Sequence, residues 1–180
     1  MKLNLGSAIV IVVSLLTFSS TGAQAETIHA ALTGIEEVPV VSTLARGEFR
    51  ATINRGDQSI EFELRYSGLQ GTVQQGHIHV AQPSVNGSIV VWLCQTATNL
   101  DPTGLAETCQ LGQATEAVIR GTITSANVIA GSMTGQQLTA GDLADVVRAI
   151  RAGAAYVNVH TNLSPGGEIR GQIRASKGKR

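Results

Sequence analysis

Through the middle of the chain, apolar and polar side chains alternate one for one. Phe49, Ala51 and Ile53 alternate with Arg50, Thr52 and Asn54, and Ile60, Phe62, Leu64 and Tyr66 alternate with Glu61, Glu63 and Arg65. A period of two belongs to a strand with one face on a core and the other in water, so both runs predict half-buried β-strands. Between them, Asn54-Arg55-Gly56-Asp57-Gln58 has the chemistry of a hairpin loop. Further strands are predicted at 28–32, 73–80, 88–93, 117–124, 155–160 and 167–173, with Pro165-Gly166 as turn punctuation before the last. Short strands at this spacing predict a mostly β fold, an antiparallel β-sandwich or Greek-key barrel. One stretch breaks the pattern. Leu143, Val146, Val147 and Ile150 recur at i, i+3, i+4 and i+7, which predicts one short amphipathic helix near 140–152 packed on the sheet. Thr139 or Asp142 suits its N-cap, and Gly153 suits the position just past its end.

The start of the chain reads as an address. Residues 1–25 combine Lys2, an apolar run over 8–18 and Ala23-Gln24-Ala25, the pattern of a cleaved secretory signal peptide. The run is short for a membrane span, so the expectation is a secreted or periplasmic protein with no membrane attachment after cleavage. Residues 26–174 then form the domain, and 175–180, with three basic residues and no apolar run, a flexible basic tail. Thirteen basic and thirteen acidic residues give no net charge, which argues against a nucleic-acid partner held on a basic surface. Two cysteines in an exported chain, Cys94 and Cys109, predict a disulfide across the loop between them.

Chemistry is concentrated in the histidines. His77-Ile78-His79 lies on a predicted strand, so both rings leave the same face, about 6.5–7 Å apart at Cα. His160 ends another predicted strand, on the face shared by Tyr156 and Asn158. If the two strands are neighbours, three neutral imidazoles can converge on Cu or Zn, with Asn158 or Glu168 placed to orient a ligand ring. The same residues also suit a solvated face or a hydrogen-bonded core. His29, near the expected mature N-terminus, is a possible fourth ligand. Glu168, Arg170 and Gln172 share a strand face and read as a surface ladder. No nucleophile elbow, phosphate loop, H-E-x-x-H or C-x-x-C is present, so no catalytic residue is assigned.

Several stretches together resemble the CHRD domain family, named after chordin. They are Leu32-Thr33-Gly34 with Glu37-Val38-Pro39, Thr43-Leu44-Ala45-Arg46-Gly47, Gly76-His77-Ile78-His79-Val80, and Asn86-Gly87-Ser88-Ile89-Val90-Val91. The most specific block is Ala155-Tyr156-Val157-Asn158-Val159-His160-Thr161, followed by 165–173. Gly76 stands where the family usually has Ala. The resemblance implies an extracytoplasmic, mostly β domain and places all three histidines inside it. The expected function is a non-enzymatic binding module with a three-His metal site and an extracellular protein or matrix partner. The alternatives are a metal-dependent redox or hydrolytic enzyme, similar in outline to copper–zinc superoxide dismutase, and a metal-free matrix or adhesion module.

Overall fold

The alternating runs pair as their spacing predicts. In a computed structural model, which describes residues 24–176, β2 (Arg46–Ile53) and β3 (Ile60–Ser67) form an antiparallel hairpin from Arg46↔Ser67 to Ile53↔Ile60. Its loop turns on Gly56, at φ 78°, where a side chain would be strained. The other strands are β1 (Glu26–Thr33), β4 (Val73–Val80), β5 (Ser88–Gln95), β6 (Glu107–Thr108), β7 (Ala117–Ile123), β8 (Ala155–Thr161), β9 (Ile169–Gln172) and β10 (Arg174–Ala175).

The strands form one sheet in the order β6-β5-β4-β8-β9-β1-β2-β3-β7, with β10 also on β1. It falls into two halves that meet at β9 and β1 through one residue pair, Thr33↔Arg170. At the far ends, the segment after β7 returns to β5 through Val91↔Val128, so the sheet nearly closes on itself. This is the barrel-like or sandwich-like architecture expected. The sheet is mixed because β6 runs parallel to β5. β6 returns from a long loop rather than a hairpin, and the Cys94–Cys109 disulfide ties that loop down.

One apolar cluster fills the interior, including Ile28, Leu32, Phe49, Leu64, Ile78, Val91, Val157, Val159 and Ile169. Helix α1 (Leu143–Arg151) adds Leu143, Val146, Val147 and Ile150 to the same cluster. Asp142 is its cap, accepting from the Asp145 backbone N–H at 3.0 Å. Gly153, at φ 68°, ends it.

Residues 1–23 and 177–180 lie outside the described residues, and with them nearly all of the expected signal peptide and most of the expected tail. Ala175, placed by the sequence in that tail, pairs with Ile28, and the Ser176 backbone N–H donates to Thr27.

Candidate metal centre

Strands β4 and β8 are direct neighbours although about eighty residues separate them. Their register sets His77 opposite Asn158, His79 opposite Tyr156 and Gln75 opposite His160. His160 is therefore the diagonal neighbour of His77, within reach of a ring. His77 Nδ1 lies 3.2 Å from His160 Nε2. Ring centroids are 5.5 Å apart for His77–His79, 4.9 Å for His77–His160 and 6.1 Å for His79–His160. One nitrogen from each ring falls within 4.8 Å of the other two. Nitrogens on a tetrahedral Zn ion stand roughly 3.3 Å apart, so modest side-chain rotation closes the set.

This face points away from the apolar core, yet it is buried. His77 is 0% exposed, and His79 and His160 6% each. Three connections cover it, from the β1–β2, β4–β5 and β8–β9 loops. His79 Nδ1 donates to the Gly87 carbonyl at 2.9 Å, and His160 Nδ1 to the Pro165 carbonyl at 2.8 Å. Two glycines allow the loops to come this close. A Cβ on Gly87 would strike the Val80 carbonyl, and one on Gly167, at φ 126°, would strike the Glu37 carboxylate. Aromatic groups complete the walls. Trp92 meets the His77 ring edge-on at 4.3 Å, and Tyr156 stacks on His79 at 4.6 Å. The Arg170 guanidinium lies 3.5 Å above the Tyr156 ring and donates to Asn86 Oδ1 and the Val85 carbonyl.

The proton count is what singles the cluster out. A carbonyl only accepts, so the Nδ1 atoms of His79 and His160 carry the ring protons and leave each Nε2 with a lone pair. His79 Nε2 and His77 Nε2 are buried without a partner. His160 Nε2 can accept from His77 Nδ1–H at 3.2 Å, but it also faces Asn158 Oδ1 at 2.9 Å, a second acceptor. Turning the amide only moves the conflict, because its nitrogen now faces the Gly166 carbonyl at 3.5 Å. Protonating the rings is no remedy. Burial, above all, pushes all three pKa values below 6.5: His77 far below, with repulsion from His160 and His79 adding to it; His79 to about 4; and His160 less severely. Neutral imidazoles with converging lone pairs are what a transition-metal ion requires, so the donor set fits one.

The remaining expectations divide. Asn158 lies against a candidate ligand. Glu168 does not: its buried carboxylate accepts from Thr43 Oγ1, Gln70 N, Gly71 N and Thr161 Oγ1 and thereby pins loops. The sequence reading carried the β9 alternation one residue too far back, into the turn. Arg170 is not on a surface ladder; it is 1% exposed beneath Val85 and Asn86. His29 is on β1, away from the cluster, with its ring near Ser176 Oγ. Gly76 needs no special account: a Cβ there would make ordinary contact, 3.4 Å from Cys94 Sγ. Three further residues of the site have no role assigned from the sequence, although Tyr156 is placed there on the face of His160. Trp92 and Tyr156 carried the only signal, as large aromatics on the same strands as the histidines. Glu37 is 4% exposed, has an unpartnered Oε1, and is pushed up to about 7 by burial, against the pull of Arg170 and the Val38 N–H.

A cavity of about 180 Å³ opens beside His160, lined by Gln75, Asn99, Asn162 and Pro165 among others. A larger cavity, about 600 Å³, lies elsewhere, between β1–β3 and the segment 43–48, and none of the three histidines lines it.

A family model described as the CHRD domain matches residues 28–173. No curated protein and no solved structure matches the chain.

Proposed function

The chain belongs to the CHRD domain family, and on that premise we propose that it is an exported, non-enzymatic binding module that holds one Cu or Zn ion on His77, His79 and His160. One observation carries this reading: three buried, neutral imidazoles bring one nitrogen each within 4.8 Å of the others, and the Nε2 atoms of His77 and His79 have no partner. Buried polar atoms are ordinarily paired, and each one left unpaired costs about 1–3 kcal/mol. A cation bound to the three rings removes that cost. His160 is held by the Pro165 carbonyl and His79 by the Gly87 carbonyl, the outer contacts that fix a ligand ring.

The enclosure supports binding over turnover. The cavity beside His160 would pass a hydrated ion, whereas pockets for organic substrates usually exceed about 300 Å³. The Cys94–Cys109 disulfide favours an oxidising compartment, and among the described residues no helix is long and apolar enough to cross a membrane. An extracellular protein or matrix component is the partner class that fits export.

The test is metal content. Protein purified without added metal, then exposed to micromolar Zn or Cu and desalted, should carry about one equivalent, and His77→Ala should carry none. Wild-type protein that stays metal-free under these conditions would sink the reading.

A further inference from the structure

Resting on the three-His reading, we infer that the ion this site is built for is monovalent copper. Two observations separate Cu(I) from the divalent ions.

The first is charge. The ligand set is three neutral rings. Among the described residues no carboxylate or thiolate joins them. Arg170 is the formal cation nearest this wall, stacked through Tyr156 onto His79. Of the two buried carboxylates on the covering loops, Glu37 faces the pull of Arg170 and Glu168 is engaged by four donors, and neither is a ligand. A bound ion therefore meets no charged ligand in a desolvated place. The cost of burying an ion grows as the square of its charge, so a monovalent ion costs about a quarter of what a divalent one does.

The second is coordination number. Zn takes four ligands, either four protein groups or three with a water in the open position. Here the described residues supply three, and the nearest further polar atom is the neutral amide oxygen of Asn158. Trp92 and Tyr156 wall the His77 and His79 sides. A filled-shell monovalent copper ion is content with three nitrogens. The ion arrives already reduced, so no electron transfer at the site is required.

The purified protein, stripped with a chelator, is titrated anaerobically with Cu(I) held by a chromogenic chelator under ascorbate. In parallel it is titrated with Zn(II) and with Cu(II) against their own indicators. The expected result is one Cu(I) per chain, bound on the order of a thousandfold more tightly than Zn(II). X-ray absorption of the copper-loaded protein should give a shell of three nitrogens. Zn(II) or Cu(II) bound as tightly as Cu(I), or a four-donor shell, overturns the inference and leaves the three-His site standing; no ion of any kind overturns both. His79→Leu should abolish Cu(I) capture, and capture that persists in it would locate the copper elsewhere and overturn the inference. If that variant does not fold, the wild-type competition decides alone.

Discussion

Replacing His77 with leucine separates what the ring does for the fold from what it does for an ion. In the metal-free protein the His77 side chain is fully buried, and its Nε2 has no partner. Leucine removes that orphan, worth about 1–3 kcal/mol. It also gives up the edge contact with Trp92 and the 3.2 Å contact with His160, together about 1–2 kcal/mol. The balance lies between about 1 kcal/mol against the variant and about 2 kcal/mol in its favour. In a domain of this size 1 kcal/mol moves Tm by about 3–4 °C, so metal-free His77→Leu should melt between about 4 °C below and about 8 °C above wild type. Metal shifts the balance towards wild type. At a free-ion concentration a hundred times Kd the wild type gains about 2.7 kcal/mol, close to 9 °C, and the variant gains nothing. Thermal melts of both proteins at pH 7.5, with chelator and with ion, read all four states. A metal-free variant that melts more than about 8 °C below wild type, or one that keeps the metal-driven rise, would refute the reasoning.

Acid should weaken the metal-free protein. The three rings have folded pKa values below 6.5, so the unfolded chain takes up more protons than the native one as pH falls from 6.5 towards 4, and stability is lost across that window. Glu37, raised from 4.5 to about 7, works the other way and loses stability as pH rises from 4.5 to 7. Its effect and that of His79 are each on the order of 3 kcal/mol and nearly cancel, which leaves His77 and His160 to set the slope. Urea midpoints that do not fall between pH 7 and 4.5 would contradict this. Glu168→Gln should keep metal binding while lowering Tm, because a neutral amide accepts more weakly from the four donors and brings an N–H₂ against them; loss of metal from a folded variant would tie Glu168 to the site after all. The double variant Cys94→Ala/Cys109→Ala opens a loop worth about 3 kcal/mol, a drop of about 10 °C in Tm measured by calorimetry.

How much of this was legible along the chain follows from what each signal encodes. Alternation is local, so the β2–β3 hairpin and α1 could be read directly. Strand β5 was harder. Register shifts against β4, between Gly76 and His77 and between Ile78 and His79, let Val90 and Val91 both turn inward, and no period of two survives there. Strand β6 is two residues long and exists because the disulfide holds its loop, so it has no pattern to show. For the site, H-x-H was visible and its partner was not. That His160 stands diagonal to His77 depends on β4 pairing with β8, a choice made by the whole sheet. The polar face of β8 looked half-solvated, since sequence alternation marks which residues share a face and not whether loops cover it. Tyr156, Asn158, His160 and Arg170 are buried because three connections close over them.

Those coverings have a kinetic consequence. The nitrogens of His79 and His160 that face outward latch the β4–β5 and β8–β9 loops through Gly87 and Pro165. Ring and loop are thus one mechanical unit, and a latch that lets go swings a candidate ligand away from the other two. The dwell time of a bound ion should therefore depend on how often those loops spring open as well as on the strength of its bonds.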